Sequence, residues 1–279
     1  MTRRWAIPVT TIVLALGSML AAAGGASAVT AAAPHTTTVR PGAAVHSFTP
    51  GGTLVRPAGG LRLHSHGRFT EAESTNWSGY AATGGNGAFS SVSATWTEPT
   101  AHCTKRADQY AAFWVGLDGY SSDSVEQTGT DSDCDGRTPD YYGWYEMYPA
   151  NPVYYTSTVE PGDSFSASVT FSGTETYTLV LKDLTQGWTQ KVTKNESGLA
   201  RSSAEVITEA PSSESGVLPL ADFGTVNYGS STANGSSLSA DNPTEIIMID
   251  NSGADKDSTS GISGSGGFSN TWLRSNSSV

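Results

Sequence analysis

The chain has 279 residues, enough to bury a substantial apolar core, and carries 26 acidic residues against 15 basic ones, a formal charge of −11. Nucleic-acid-binding proteins present a basic patch, so this acidic balance argues against that class. The charge is also uneven, because the 24 acidic and 9 basic residues from position 74 onward give that part alone a charge of −15.

The N-terminal segment has the features of a secretory signal peptide. Arg3 and Arg4 precede an apolar run from Ile12 to Ala23, and the triplet Ala26-Ser27-Ala28 offers a small-residue cleavage site. The run is shorter than the roughly 20 apolar residues that a membrane span needs. We therefore expect residues 1–28 to be a signal peptide, and the protein to be secreted, with no membrane association after cleavage.

Residues 29–73 form a leader of different composition. The segment is rich in Ala, Thr, Pro and Gly, shows no sustained helix or strand period, and has too little apolar material for a core. It holds four arginines and four of the five histidines in the protein. It is either a flexible spacer or a basic propeptide that binds the acidic domain by charge and dissociates when carboxylates protonate at low pH. We favour the propeptide.

The remainder, residues 74–279, has the pattern of a single β-domain. Polar and apolar residues alternate in "SVSATWT" (91–97), "DSFSASVTF" (163–171) and "ETYTLVLKD" (175–183), with turn-forming residues between such segments. Long helical patterns are absent from the sequence. The alternation predicts an antiparallel β-sandwich, in which the apolar runs "YAAFWVGL" (110–117) and "EIIMID" (245–250) form central strands buried on both faces.

The two cysteines, Cys103 and Cys134, are predicted to form one disulfide, as is usual in an exported protein. A metal site is the competing interpretation, but His102 is the nearest imidazole and the spacing matches no zinc pattern. The acidic segment "DSDCDG" (131–136) lacks the downstream Glu of an EF-hand. We expect no metal and no cofactor.

Three segments place a polar group where the alternation calls for an apolar one. Glu146 lies on the aromatic face of "YYGWYEMYP", and Gln127 lies among small residues in "SVEQTGTD". In "SSAEVITEAP", one face carries Glu205, Ile207 and Glu209. A carboxylate on an apolar face is costly unless it borders a wet cleft or joins a hydrogen-bond network.

The residue inventory excludes several catalytic chemistries. After Glu73 the only histidine is His102, and no Gly-x-Ser-x-Gly nucleophile elbow is present. The Asp-Thr/Ser-Gly loops of pepsin-like enzymes are absent too. Hydrolysis would have to depend on carboxylates and amides, and a glycosidase using Glu146 and Glu205 remains open. A non-catalytic module that binds carbohydrate or peptide in an aromatic cleft is a further alternative.

Seven segments, in chain order, resemble the glutamic peptidases (eqolisins, family G1). They are "NWSGYAA" (76–82), "ATWTEP" (94–99), "FWVGLDG" (113–119), "EQTGTD" (126–131), "WYEMYP" (144–149), "PGDSFSASV" (161–169) and "SAEVITEAP" (203–211). The resemblance implies a concanavalin-like β-sandwich and a secreted endopeptidase, made as a proenzyme, that acts on polypeptides in acid. We expect it to be a monomer.

The family's catalytic Gln and Glu fall on Gln127 and Glu205. Glu205 would act as general base and then general acid, while Gln127 would orient the water and stabilise the oxyanion. Residues at or under the cleft are expected at Trp77, Trp114, Asp118, Asp131 and Glu146. Val206 and Thr208 depart from the Trp and Val of the family, which affects subsite preference more than the dyad.

Overall fold

The computed structural model describes residues 62–66, 69–104, 107–213 and 216–276, all of them in the second of two units, which divide between residues 43 and 44. Regular structure in these residues consists of β-strands and one short 3-10 helix at Leu238–Asp241. The strands are β1 (Arg62–His66), β2 (Phe69–Ser74), β3 (Trp77–Thr83), β4 (Ser91–Thr97), β5 (Ala112–Leu117), β6 (Val125–Asp135), β7 (Thr138–Tyr148), β8 (Val153–Tyr154), β9 (Ser164–Ser172), β10 (Thr176–Asp183), β11 (Thr189–Asn195), β12 (Ser203–Glu209), β13 (Ser212–Ser213), β14 (Gly216–Val217), β15 (Thr225–Ala233), β16 (Ser236–Ser237), β17 (Thr244–Met248), β18 (Asp257–Thr259) and β19 (Phe268–Trp272).

The strands form two large sheets that pack face to face. The nine-stranded sheet has the order β1-β2-β17-β3-β12-β5-β6-β7-β8, and every neighbouring pair is antiparallel except β2 with β17. The other large sheet has the order β11-β10-β9-β4-β15-β19-β18, with β16 paired to β15. The predicted antiparallel β-sandwich is confirmed.

The main apolar core lies between the two sheets. On β5 the inward residues are Phe113, Val115 and Leu117, and they belong to the same cluster as Val169 and Leu179 of the opposite sheet. All five are fully buried. Each such side chain contributes roughly 1.5–3 kcal/mol by leaving water. The period-2 alternation therefore identified the inward face correctly.

A second apolar cluster lies on the opposite face of the nine-stranded sheet, which we call the outer face. It is built from residues of that sheet alone, including Trp77, Trp114, Trp144 and Ile207. Because β5 contributes to both clusters, all six of its residues are buried, as predicted for "YAAFWVGL". The second apolar run was misassigned: in β17, Glu245 and Ile247 are only partly buried. That strand lies near the sheet edge, where packing covers one face less completely.

The disulfide between Cys103 and Cys134 is present, with a Cα–Cα distance of 5.5 Å. It ties the loop after β4 to the end of β6.

The leader enters the described structure only at its C-terminal end. β1 pairs with β2, and β2 in turn lies along β17, with Glu71 opposite Glu245 and Glu73 opposite Ile247. β1, and β2 except for its last residue Ser74, fall within residues 29–73, the span predicted as leader. The predicted signal peptide and the leader up to residue 61 lie outside the described residues. In the described part of the chain, no helix is long and apolar enough to cross a membrane.

Candidate active site on the outer face

Residues predicted on separate segments meet in one row across the outer face. The pairing registers of β17, β3, β12, β5, β6 and β7 align these strands in order. The row consists of Thr244, Ala81, Glu205, Gly116, Gln127 and Glu146. The two predicted dyad residues are therefore separated by a single strand, β5, although 78 positions separate them in sequence. Glu205, Gln127 and Glu146 are all fully buried.

Gly116, between the dyad residues, allows close packing of the site. A Cβ atom at this position would lie 2.8 Å from Cζ3 of Trp114, 3.2 Å from Val125 and 3.3 Å from Cβ of Gln127. The ring of Trp114 therefore lies against the backbone of Gly116, beside Gln127. Glycine inside a strand often marks such a close approach. Trp114 thus lies beside Gly116, between the strands of Gln127 and Glu205.

The amide of Gln127 is oriented by Glu146 on the neighbouring strand. Its Nε2 donates a hydrogen bond of 2.6 Å to Oε2 of Glu146. Because a carboxylate accepts hydrogen bonds, this contact directs the amide nitrogen toward β7. The amide oxygen Oε1 is buried and has no hydrogen-bond partner. Gln127 can thus offer an acceptor and its second N–H hydrogen to a bound group.

Glu205 is a buried carboxylate with unsatisfied oxygens. Neither Oε1 nor Oε2 makes a hydrogen bond of ordinary geometry. Burial raises the pKa of Glu205 well above its usual range, the nearby Ser203 hydroxyl lowers it, and the Asp118 and Glu126 carboxylates raise it. In this environment the ionised form is stable only if hydrogen-bond donors reach it.

Unsatisfied buried polar atoms concentrate around this point of the row. Besides the oxygens of Glu205 and Gln127, the hydroxyls of Ser203 and Tyr120 are buried without a hydrogen bond. Buried polar groups in folded proteins are nearly always paired, with protein or with water. Their concentration marks a place for water or for polar atoms of a ligand.

Glu209 lies four residues after Glu205 on the same face of β12 and has a defined structural role. Trp114 donates from Nε1 to its Oε2 at 2.8 Å, and Asn76 donates from Nδ2 to its Oε1 at 3.3 Å. The rings of Trp114 and Trp77 meet edge to face with centroids 4.9 Å apart. Glu209 therefore anchors the aromatic side of the site, a role that its sequence position did not reveal.

Asp131 holds a second tryptophan in the same way. Nε1 of Trp144 donates to Oδ1 of Asp131 at 2.5 Å. Asp131 lies in the row of Glu209, with Ala112 between them on β5. The acidic residue predicted near the cleft thus fixes an aromatic side chain of the outer face.

Asp118 does not lie in the row; its carboxylate binds residues that come just before β12. Its φ of 69° places it in the left-handed region, at the turn after β5. Its carboxylate accepts hydrogen bonds from the backbone N–H groups of Arg201, at 2.6 Å, and Ser202, at 2.9 Å. It therefore holds the residues that lead into the strand of Glu205.

The structure brings together six of the seven predicted site residues on the outer face, and Asp118 supports them from the side. Sequence reasoning missed Tyr120, Ser203, Gly116 and Thr244. The isolated glycine in the apolar run of β5 was a usable signal for close approach. No pattern in the sequence distinguished Tyr120, since it lies in a Ser-rich turn.

The glycosidase alternative fits this geometry poorly. Glu146 and Glu205 lie on strands three spacings apart, about 14 Å between backbones. Gln127 lies between them and donates to Glu146. A retaining glycosidase needs its carboxyl groups about 5 Å apart.

The chain is similar to several known peptidases. The sequence profile described as the Peptidase A4 family matches residues 75–272. Aspergillopepsin-2 of Aspergillus niger is 27% identical over 215 residues, covering 67% of this chain and 74% of that protein. Scytalido-glutamic peptidase, solved with a transition state analog inhibitor, matches with a TM-score of 0.59 and 31% identity over 71% of this chain and 98% of that one.

A third relative is SCP-B, a member of the eqolisin family solved in complex with the tripeptide Ala-Ile-His. It matches with a TM-score of 0.56 and 30% identity, over 71% of this chain and 98% of that one. The profile match spans most of the chain, and the outer-face row lies within it. The chain therefore belongs to the Peptidase A4 family, the glutamic peptidases or eqolisins.

Proposed function

We propose that this protein is a secreted endopeptidase that hydrolyses polypeptides with Glu205 and Gln127 as its catalytic dyad. The observation that carries the proposal is the row in which a buried carboxylate and a buried amide lie on either side of Gly116, with unsatisfied oxygens on both. The relatives solved with a transition state analog and with a tripeptide support polypeptide substrates.

In the first step, ionised Glu205 takes a proton from a water molecule while the water oxygen attacks the scissile carbonyl carbon. The carbonyl π electrons move to oxygen, and the second N–H hydrogen of Gln127 donates to that oxyanion. The other Nε2 hydrogen is already bonded to Glu146, so the amide is positioned before substrate binds. The water that attacks can donate its remaining hydrogen to Oε1 of Gln127.

In the second step, the protonated Glu205 gives its proton to the nitrogen of the scissile bond. The C–N bond breaks, an amine leaves, and the carbonyl re-forms as a carboxylic acid. Glu205 returns to its ionised state, so no covalent intermediate is needed. General acid–base catalysis by such a group contributes roughly 10² to 10⁴ in rate.

We propose an acidic working range for this chemistry. One residue must be a base and then an acid, and this works best when its pKa is near the working pH. Burial raises the pKa of Glu205, and donors from water and neighbouring hydroxyls lower it again in a hydrated site. Burial raises the pKa of Glu98 to about 7 and that of Glu126 to about 8, so the folded domain loses stability as the pH rises from about 4.5 toward these values.

We also propose that residues 29–73 are a propeptide and residues 1–28 a signal peptide. The leader carries four arginines and four histidines, and residues 74–279 carry a formal charge of −15, so we expect attraction between them near neutral pH. Protonation of the domain's carboxylates in acid would weaken that attraction. The mature peptidase domain would then act as a monomer.

The test compares four forms of the secreted protein shifted to about pH 3 to 4, where ordinary Glu begins to protonate. They are the wild type, Glu205→Gln, Gln127→Ala and, as a matched control, Glu175→Gln at an exposed turn. N-terminal shortening and digestion of a denatured protein substrate are followed together.

We expect wild type and Glu175→Gln to cleave, and Glu205→Gln to lose activity by roughly 10² to 10⁴. Gln127→Ala should lose roughly 10² to 10³, as for removal of one oxyanion donor. Full activity in both dyad variants would refute the mechanism. Binding of the denatured substrate without cleavage by any form would favour the non-catalytic module.

A further inference from the structure

The loop between β5 and β6, residues 118–124, turns back onto the outer face. It begins at Asp118 and Gly119, which have φ values of 69° and 103°. A Cβ atom at Gly119 would lie 2.5 Å from Val125 and 2.9 Å from Cη2 of Trp77. The backbone therefore lies directly against the outer-face cluster, and Tyr120, the next residue, is directed onto it.

Tyr120 is held with its ring on this cluster and its hydroxyl inside. The ring packs against the buried residues of the outer face, and the hydroxyl oxygen is buried without a hydrogen bond of ordinary geometry. Burial raises the pKa of Tyr120. Two neighbouring groups also act on it: the Thr244 hydroxyl lowers this pKa, and the Glu205 carboxylate raises it.

The register shows why one phenol can lie near both groups. Thr244 and Glu205 flank Ala81 on either side, on the same face of adjacent strands. The small side chain of Ala81 leaves space above the backbone between them. The space over Ala81 is on the side of Glu205 opposite Gln127, because β12 lies between β3 and β5.

Glu205 has few other sources of a donor. Two carboxylates act on Glu205 through space, Asp118 in the β5–β6 loop and Glu126 on the opposite face of β6, and both oppose its ionisation. Gln127 directs its nitrogen toward Glu146. A phenol stays protonated throughout the acidic and neutral range, so it is always a donor there.

We propose that Tyr120 is a positioning residue for Glu205, with its hydroxyl donating a hydrogen bond to the carboxylate, directly or through one water, when Glu205 is ionised. This inference rests on the proposed function, in which Glu205 is the base. The hydrogen bond favours the ionised form and fixes the orientation of the carboxylate toward the attacking water. Ser203 supports the same carboxylate from its own strand.

The test is Tyr120→Phe, measured as kcat and KM on a peptide substrate across the acidic range. Loss of a donor to a charged acceptor should raise the pKa of Glu205 by about one unit, so the acid limb of the kcat/KM profile moves up by about one pH unit. We expect kcat to fall about tenfold or more, with little change in KM. The Tyr120 hydroxyl makes no protein hydrogen bond in the structure. At the acid end of the range, where Glu205 is protonated, the variant should therefore keep the wild-type urea midpoint.

The matched control is Tyr155→Phe. Its hydroxyl is also buried without a hydrogen bond, but the residue belongs to the core between the sheets. We expect its pH profile and kcat to match wild type. A Tyr120→Phe profile that does not shift, or a change in KM alone, would overturn the inference, because a structural or substrate-contact role gives those results. If Glu205→Gln were fully active, the proposed function would fail instead, so the two failures are distinguishable.

Discussion

Replacing Glu126 by Gln should remove a large part of the pH dependence of folding. Glu126 points into the core between the sheets, opposite Leu117 on one side and Met147 on the other. Both of its carboxylate oxygens lack a hydrogen-bond partner. Burial raises its pKa from 4.5 to about 8, with smaller upward contributions from the carboxylates of Asp118 and Glu196, and the Ser124 hydroxyl and Arg201 lower it.

A pKa that is higher in the folded than in the unfolded state means that the folded protein binds the proton more tightly. Below pH 4.5, Glu126 is protonated in both states, and its contribution is fully present. As the pH rises toward 8, the unfolded chain releases the proton first, and stability falls. The difference between 4.5 and about 8 corresponds to about 5 kcal/mol, at about 1.4 kcal/mol for each unit.

This loss is a large share of the 5–15 kcal/mol that typically stabilises a domain. Gln is neutral at every pH and has nearly the same shape as Glu, so the free energy of unfolding of Glu126→Gln should match that of wild type near pH 4. At pH 8 and above it should be higher than that of wild type by about 5 kcal/mol, which corresponds to about 10 to 20 °C in Tm.

The assay is urea unfolding at intervals from pH 4 to pH 9, in a Glu205→Gln background so that self-cleavage does not distort the acid points. Glu175→Gln, at an exposed turn, is the matched control and should follow wild type throughout. The Glu126→Gln curve will still fall with pH, since burial also raises the pKa of Glu98 from 4.5 to about 7. A difference in unfolding free energy between Glu126→Gln and wild type that is constant with pH, or largest in acid, would refute the reasoning.

Two further substitutions test the geometry of the site. Gly116→Ala should reduce kcat/KM by about 10², because the added methyl group would contact the Trp114 ring and displace the dyad. The control is Gly261→Ala, where a Cβ atom meets nothing within 4 Å, and it should keep wild-type kinetics. Equal kinetics for both would contradict this account of the row. Asp118→Ala should lower the free energy of unfolding by about 3 kcal/mol at pH 4, because the partly buried N–H of Arg201 and the buried N–H of Ser202 lose their acceptor. Asp118→Asn should lose less, and urea midpoints that rank the two variants the other way would contradict the anchoring role.

The sequence predicted which side of each strand carries the site, because side chains alternate strictly along a strand. Glu205, Ile207 and Glu209 do share a face, and it is the outer one, while Ala204 and Val206 enter the core between the sheets. The composition of β6 was more deceptive. Its residues are mostly polar, yet ten of the eleven are buried, because it pairs with β5 and β7 and packs against β9 and β10 of the other sheet.

Local sequence patterns did not predict which strands are neighbours in the sheets. β12 lies between β3 and β5, strands far earlier in the chain, and that placement makes Trp114 a partner for Glu209. β17 pairs with β2, which comes from the segment that sequence composition assigned to the leader. Pairing of distant segments depends on the total packing of both sheets, so short-range periodicity does not encode it.

By itself the sequence determined the strand alternation, the disulfide pair, the absence of a histidine triad, and the seven motifs that point to glutamic peptidases. Only the tertiary structure decided that Glu205 and Gln127 lie on either side of Gly116, that Glu146 orients the amide, and that Tyr120 packs against the outer-face cluster. The physical reason is register. Alternation fixes the face of a residue, whereas cross-strand pairing fixes which residues on that face are within a few ångströms of each other.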